Sequence, residues 1–294
     1  MGEGDWLVDR FEADRARLRS LAYRMLGSQS EADDAVQEAW IRVSRSDHGG
    51  VANMGGWLTT VVARVCLDLL RSRASRREEP LAPHLPDLIV SREGAVDPEH
   101  EALLADSVGL ALLVVLDTLV PAERLAFVLH DLFAVPYEEI AAIVGRTPTA
   151  ARQLASRARR RVQGAAPVSD PDLRRQRAVV DAFFTAAREG DFDALLAVLD
   201  PGVLLRADGG ATQPGMSREV RGAPAVVEQA LRFSWRAQHA LPALVNGTAG
   251  VVVVVGGRPL AVLAFTVAGG KIVEIDVLAD SARLDQLDLT VLDG

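Results

Sequence analysis

Closely spaced prolines divide this 294-residue chain into helical and non-helical parts. Pro80, Pro83, Pro86 and Pro98 fall in one short stretch. Proline removes a backbone donor and clashes with the preceding helical turn, so this spacing excludes a continuous helix and predicts an extended connector. A second, shorter linker is predicted at residues 167–171. The chain is therefore expected to fold as separate domains, as its length also indicates.

Hydrophobic periodicity distinguishes the two halves of the chain. Apolar residues recur at helical spacing over residues 7–77 and from about 98 to 163, which predicts all-helical structure. After residue 172, helices lead into short strands separated by Gly-Gly pairs, so an α+β domain with an antiparallel meander is expected. The expected elements are helices at residues 173–189, 193–199 and 223–233 and strands at residues 203–206, 243–245, 251–255, 259–267 and 271–278.

Individual residues predict helix ends and core positions in the N-terminal half. Gly27 is expected to stop the first helix, and Ser30 with Asp33 has the form of a capping box for the second. Trp40 lies on the apolar stripe of that second helix and is assigned to the core. Cys66 lies on an apolar helical run and is interpreted as a small core residue, with a redox-sensing thiol as the alternative.

Residues 136–162 predict a helix-turn-helix. Gly145 suits the end of the first helix, because glycine adopts positive φ readily. Thr147 and Pro148 supply an N-cap and a proline at the first position of the second helix. Small Ala141 suits the close approach of two crossing helices. The second helix then has one apolar stripe and one polar, arginine-rich face.

That polar face has the composition of a DNA recognition helix. Residues 136–163 hold six Arg and two Glu, in a chain whose net charge is −8. Side chains near the N-terminus of such a helix would contact base edges in the major groove, and later arginines would neutralise phosphates. The alternative is a surface helix with solvated arginines. The candidate DNA contacts are Thr149, Arg152, Gln153, Ser156, Arg157 and Arg160.

Composition argues against several other classes of protein. A single cysteine excludes an internal disulfide, and the five histidines form no cluster, so neither a metal nor a cofactor is expected. No apolar run is long enough to span a bilayer and no signal pattern is present, so a cytoplasmic protein without membrane contact is expected.

The helix-turn-helix resembles region 4 of an extracytoplasmic-function sigma factor, and the N-terminal helices resemble region 2 of the same family. The two motifs occur in the order and spacing of that family. The matching segments are residues 137–141 (YEEIA), Gly145 and residues 156–159 (SRAR) for region 4, and residues 21–27, 31–40 and 57–71 for region 2.

The resemblance implies two sets of site residues in region 2. An aromatic ring and guanidinium groups would hold unstacked bases and phosphates of the −10 element, although Trp57 would equally suit the core. Acidic side chains would bind the basic β′ clamp helices of core RNA polymerase, although acids near a helix N-terminus also favour the helix dipole. The −10 candidates are Trp57, Arg64, Arg71 and Arg73, and the polymerase-binding candidates are Asp33, Asp34 and Glu38.

Residues 172–294 resemble the SnoaL-like, NTF2-like domain that is fused to the SigJ type of sigma factor. Three short elements of that family, one in the connector and two in the C-terminal domain, have degenerate counterparts at residues 84–88, 208–212 and 280–284. The resemblance implies that the connector docks on the C-terminal domain. The implied interdomain residues are His84, Leu85, Pro86, Asp87, Asp208, Gly209, Gly210, Asp280, Arg283 and Leu284.

The complete prediction is a multidomain fold, with two all-α sigma-factor domains followed by an α+β NTF2-like, SnoaL-like cone. The expected segments are region 2 at residues 1–77, a proline-rich connector at 78–104, region 4 at 105–164 and the SnoaL-like domain at 170–294.

The function implied is that of a sigma factor that binds core RNA polymerase and promoter DNA and is modulated in cis by its C-terminal domain. The alternative is a small-molecule-binding or cyclase-like enzyme carried on a DNA-binding protein, with an unidentified ligand in the C-terminal pocket. Such an enzyme needs an acid/base group inside the cone, and the candidates are Asp208, His239, Glu274 and Asp276. Strand alternation places the last two on one face, which is interpreted as solvated.

Overall fold

The computed structural model describes residues 3–46, 51, 53–76, 84–92, 109–165, 167, 169–210, 214–287 and 289. These residues form two compact units. The first contains the described residues up to 76 together with residues 113–165, and it is helical. The second contains residues 84–92, 109–112 and the described chain from 167 onward, including the sheet. The predicted boundaries at 77 and 104 and the start of the helix expected from 98 lie outside the described residues.

The N-terminal helices pack through large apolar side chains at helical spacing. Helices α1 and α2 and helices α1 and α3 lie against each other, with Leu18, Leu21 and Met25 fully buried. Up to residue 165 the described chain contains α1 (Glu3–Leu26), α2 (Gln29–Ser44), α3 (Met54–Arg76), α4 (Leu110–Asp117), α5 (Pro121–Phe127), α6 (Tyr137–Val144) and α7 (Pro148–Ala165).

The turn between α1 and α2 confirms one prediction and corrects another. Helix α1 ends at Leu26 and Gly27 has a φ of +75°, as a glycine stop requires. The capping box predicted at Ser30 and Asp33 is wrong, because α2 begins directly after this turn with Ser28 at its N-cap position, and that serine makes no side-chain cap bond. The Asp33 carboxylate is bound by Arg19 instead.

Two core assignments in the first unit have different outcomes. Trp40 packs against Phe11 with ring centroids 4.9 Å apart, but its side chain is only half-buried. Cys66 is fully buried, and burial raises the pKa of its thiol to about 12. Such a thiol holds its proton at neutral pH, which fits a core residue and not a redox sensor. No helix in the described part of the chain is long and apolar enough to cross a membrane.

The second unit is a seven-stranded sheet with helices packed on it, and its strands run in the order β1-β4-β5-β6-β7-β2-β3. Its helices are α8 (Leu173–Glu189), α9 (Phe192–Val198), α10 (Ala223–Arg232), α11 (Ser234–Ala237) and α12 (Ser281–Leu284). Its strands are β1 (Val90–Ser91), β2 (Leu199–Asp208), β3 (Arg218–Arg221), β4 (Ala240–Val245), β5 (Thr248–Val255), β6 (Arg258–Ala268) and β7 (Lys271–Leu278).

The pairing of the sheet is mixed and not purely antiparallel. Strands β4 to β7 form the predicted antiparallel meander, but β2 pairs with β7 in parallel, with Leu205 opposite Ile275 and Ala207 opposite Val277. Parallel neighbours need a long crossover connection, here the whole stretch from β3 to β6, and local periodicity carries no signal of it. The short strands β1 and β3 were not predicted.

Candidate nucleic-acid interface and connector site

The helix-turn-helix forms at the predicted residues. Gly145 has a φ of +69° at the end of α6, and the Ala150 N–H donates to Thr147 Oγ1 at 3.2 Å, as expected of an N-cap. Ile140 and Ala141 of α6 are buried, and α7 buries the stripe Ala151, Leu154, Ala155 and Ala158. The apolar stripe fixes the opposite face of α7 toward solvent.

Five of the −35 candidates lie on that exposed face, and the two arginines among them make no ion pair within the described chain. The Arg152 guanidinium lies over the Tyr137 ring, 5.2 Å from its centroid. Among the described residues, neither Arg152 nor Arg160 has a carboxylate partner. Their charges are therefore available to an anion such as DNA phosphate. The exposed candidates without an ion pair are Thr149, Arg152, Gln153, Ser156 and Arg160, whereas the exposed Arg157 has one.

Other arginines of α7 are held by carboxylates of the same unit. Glu123 of α5, whose side chain is 7% exposed, pairs with Arg157 at 3.0 Å and with Arg161 at 2.9 Å. Asp131 pairs with Arg159 at 2.6 Å, and this hydrogen bond raises the pKa of Arg159. These pairs hold α7 on the rest of its unit, so Arg157 differs from the other −35 candidates.

The four −10 candidates on α3 lie in different environments. Arg64 and Arg71 are exposed, and Trp57 is half-buried. The Arg73 guanidinium donates to the Leu26 carbonyl oxygen at 3.3 Å and pairs with Glu31. Arg73 therefore binds the carbonyl end of α1, which is a structural contact.

The acidic candidates on α2 are exposed to different degrees. Asp33 pairs with Arg19 at 2.6 Å, and Glu38 pairs with Arg42 at 2.9 Å, one helical turn along α2. Asp34 is exposed and, like Asp33, has a side chain on the outer surface of the helix. Surface ion pairs of this kind contribute little to stability, so they remain free to exchange partners.

Asp208, at the end of β2, binds the connector through its carboxylate. The Leu85 N–H donates to Oδ2 at 2.9 Å, the Gly210 N–H donates to Oδ1 at 3.0 Å, and His84 Nδ1 lies 3.4 Å from Oδ2. Burial alone would raise the pKa of Asp208. The hydrogen bonds from His84, Leu85 and Gly210 and the charge of Arg283 outweigh this effect, so that the pKa of Asp208 lies below its ordinary value.

Arg283 of α12 completes this group. Its guanidinium donates to Asp208 at 2.8 Å, to the Pro86 carbonyl oxygen at 3.0 Å and to Asp87 at 3.2 Å. We call this group the connector lock; it consists of His84, Leu85, Pro86, Asp87, Asp208 and Arg283. The lock joins residues that are about two hundred positions apart in sequence, since Arg283 and Pro86 are separated by 197.

The remaining interdomain candidates lie beside the connector lock. The Asp280 side chain accepts from the Ala282 N–H at 3.0 Å, and it contacts Gly210, where any Cβ would collide with it. Gly210 also has a φ of +61°, so both space and conformation require glycine there. Leu284 is buried, whereas the Gly209 N–H donates to Ser217 Oγ and not to the connector.

Sequence reasoning missed a second attachment of the connector, through Asn246. Strand β1 pairs with β4, the Ile89 N–H donates to Asn246 Oδ1 at 3.1 Å, and the Asn246 N–H donates to the Ile89 carbonyl oxygen at 2.8 Å. Asn246 and Gly247 both have positive φ, +50° and +77°, in the two-residue turn between β4 and β5. An Asn-Gly pair between two apolar runs is a strong hairpin signal, and it would have identified this turn.

The supposed acid/base pair of the C-terminal domain is an ion-pair cluster. Arg206 of β2 binds Asp276 at 2.7 Å and Glu274 at 2.9 Å, and both carboxylates are buried. The prediction of a solvated strand face is therefore wrong, because the neighbouring strand supplies the compensating charge. Burial raises the pKa of each carboxyl group, and Arg206 opposes that rise. His239 is half-buried beside Gln238, its Nε2 lying 3.2 Å from the amide nitrogen.

A helical unit ending in a basic helix-turn-helix, in a chain that continues into an α+β domain, defines a DNA-binding transcription protein. The model for Sigma-70 region 2 matches residues 10–76, and the model for Sigma-70, region 4 matches residues 109–162. The chain belongs to the extracytoplasmic-function (ECF) RNA polymerase sigma factors, and it works as a sigma factor in transcription initiation.

Its relatives share both halves of the chain. The probable ECF sigma factor SigI of Mycobacterium tuberculosis is 39% identical over 291 residues, which is 98% of each chain. SigJ of the same organism is 42% identical over 279 residues, covering 90% of this chain and 89% of SigJ. The crystal structure of SigJ matches with a TM-score of 0.78 and 36% identity, over 96% of this chain and 99% of that one. The match to the SigJ structure therefore extends into the C-terminal α+β unit.

Proposed function

We propose that this sigma factor reads the −35 element with α7 and the −10 element with α3, binds the β′ clamp helices of core RNA polymerase through α2, and is regulated in cis by its C-terminal unit. The observation that carries the regulatory part is the connector lock. The chain between region 2 and region 4 is bound by Asp208 and Arg283, and neither residue belongs to the sigma regions.

The −35 assignment is supported by the exposed, unpaired face of α7. Arg152 and Gln153 lie in the first half of the helix, where recognition helices contact base edges. Arg160 lies two turns further on, where a guanidinium meets the phosphate backbone. We assign Arg157 to holding α7 in place through Glu123, with only a secondary contribution to DNA binding.

Substitutions on α7 should separate base reading from phosphate binding. Replacing Arg152 and Gln153 with alanine is expected to change relative −35 preference by about five-fold or more, because each lost bidentate base contact is worth about 1–3 kcal/mol. Arg160→Ala should weaken binding to all sequences alike and lower the salt slope by about one. Competition binding to a −35 library at two salt concentrations measures both effects. An unchanged preference ranking for the first variant would remove the base-contact assignment.

For the −10 element we propose contacts by Arg64, Arg71 and Trp57. The two arginines are exposed, and the half-buried ring of Trp57 can still present an edge to an unstacked base. Arg73 has a different part in the proposal, because its guanidinium already binds α1 and Glu31. It would keep α3 in position without touching DNA.

In vitro transcription with core RNA polymerase tests the function as a whole. The full chain, added to core enzyme and a template carrying the DNA upstream of its own gene, is expected to start transcription at one defined position. Core enzyme alone and core enzyme with the Arg152 and Gln153 variant serve as controls. Failure of the folded chain to direct any specific start on this template or on a genomic promoter library would contradict the proposal.

The enzyme alternative finds no support in the positions of its candidate residues. The cavity of the C-terminal unit is lined by Leu205, Ala207, Ile275 and Val277, which alternate along their strands with the acidic candidates. None of the four acid/base candidates lines that cavity. We therefore propose a non-catalytic role for the domain.

A further inference from the structure

The C-terminal unit contains a cavity of about 110 Å³ whose walls are almost entirely apolar. Phe183, Leu263 and Ile275 are among the residues that line it. Besides Ser234, the lining contains three large polar side chains, two of them charged: Arg218, Gln229 and Arg236. None of these three takes part in the connector lock or in the proposed contacts with DNA and polymerase.

Each of these three side chains has a buried polar atom without a partner. Arg218 Nε, Arg236 Nε and Gln229 Oε1 lack any hydrogen bond. Buried polar atoms in folded proteins nearly always have partners, so three orphans around one cavity indicate a missing binding partner. Among the described residues no carboxylate pairs with Arg218 or Arg236, and burial lowers the pKa of Arg236. Two positive charges therefore face an apolar space uncompensated.

Aromatic rings hold both guanidinium groups in place. The Arg236 guanidinium lies 4.8 Å from the centroid of Phe233 and 5.0 Å from that of Trp235, and the Arg218 guanidinium lies 5.9 Å from Phe233. Stacking on a ring uses the face of a guanidinium and leaves the N–H groups in its plane for an anion. The arginines are thus preorganised to bind an acid.

We propose that this cavity binds a small amphipathic carboxylate with an apolar body about the size of one ring and a hydroxyl or N–H donor. The two arginines bind the carboxylate, the apolar walls hold the body, and Gln229 Oε1 accepts from the donor group. An inorganic anion would leave the apolar walls empty, and a neutral hydrocarbon would leave three polar atoms unsatisfied. One ring is the upper limit for the body, since the cavity of about 110 Å³ is smaller than the dry protein cavity of about 150 Å³ that accommodates benzene.

Binding of 4-hydroxyphenylacetate to the full chain tests this proposal. Isothermal titration calorimetry is expected to show saturable binding, at least ten-fold tighter than that of acetate, which lacks the body, and of 4-hydroxyphenylacetamide, which lacks the charge. Because Trp235 stacks on Arg236, binding should also change tryptophan fluorescence, and Trp235→Phe should remove most of that change. Equal binding of acid and amide would overturn the proposal.

Variants of the arginines complete the test. Arg236→Met and Arg218→Met should each lower the affinity for the acid at least ten-fold and leave the affinity for the amide unchanged. Arg232→Met is the matched control, since Arg232 is exposed on α10 and lies outside the cavity lining. If the arginine variants have a lower melting temperature than the wild type, the ratio of the wild-type affinities for acid and amide still tests the proposal. Wild-type affinity in both arginine variants would show that the acid binds without these arginines, and would overturn the proposal. No saturable binding of the acid by the wild type up to 10 mM would mean that water alone occupies the cavity, and would overturn it equally.

Discussion

Reversing the charge of Asp33, Asp34 and Glu38 to lysine is expected to lower the affinity for core RNA polymerase at least about ten-fold, because like charges across an interface cost several kcal/mol. Transcription at polymerase concentrations near the wild-type dissociation constant should be lost. The helices should stay folded, since the pairs of Asp33 with Arg19 and of Glu38 with Arg42 lie at the surface.

Fluorescence anisotropy with labelled sigma factor and core enzyme measures this affinity. The matched control reverses three exposed acids of the second unit, Asp181, Asp193 and Glu228, and thereby changes the net charge equally. The control should bind like the wild type at physiological salt. If the two triple variants bind core enzyme equally well, the acids of α2 serve only the helix and not the polymerase.

Opening the connector lock should change transcription several-fold without changing promoter choice. In the Asp208→Ala, Arg283→Ala double variant, the Leu85 N–H loses its acceptor and the Pro86 carbonyl loses its donor. Residues 84–87 of the connector are thereby released, while Asn246 still holds Ile89. The sign of the change tells whether the lock restrains an inactive arrangement or braces an active one. Hydrogen exchange at the connector amides should become faster in parallel.

The double variant and the wild type should be compared at neutral pH, because the pKa of Asp208 makes the stabilisation by the lock depend on pH. A carboxyl group whose pKa is lowered by folding contributes its stabilisation above its unfolded pKa, and loses it as the pH falls through the folded value. At pH 7 the contribution of Asp208 to the lock is therefore fully present. Glu219→Ala with Arg221→Ala is the control, since this pair is exposed in the same unit. If hydrogen exchange at the connector amides becomes faster while transcription stays unchanged, the lock has no part in regulating transcription.

Much of the helical architecture was predictable because its signals are local. Gly145, Thr147 and Pro148 each determine the backbone within a few residues, and all three occupy their expected positions. The capping sequence at Ser30 was misleading because such a sequence also occurs inside a helix, and Ser30 lies one residue after the real start at Gln29. Strands β1 and β3 have two and four residues, too few for alternation to register.

The ion pairs between residues far apart in the sequence could not be predicted from local sequence patterns. The spacing of Glu274 and Asp276 shows only that they share a face; their burial depends on Arg206, which lies about seventy residues earlier on a parallel strand. The same holds for Arg157, whose partner Glu123 belongs to another helix. In contrast, family resemblance predicted the connector as a docking segment, and the bonds of Asp208 and Arg283 hold it together with those of Asn246, which were not predicted.

The connector strand is synthesised long before the strand with which it pairs. Ile89 leaves the ribosome 157 residues before its partner Asn246. At about 5–20 residues per second, that interval lasts roughly 8–30 seconds. During this interval the sigma helices can fold as they are synthesised, while Leu85, Leu88 and Ile89 have no sheet to cover them. Every newly made molecule therefore passes through a stage in which its sigma regions exist without the connector lock, which forms only when the last strands and Arg283 have been translated.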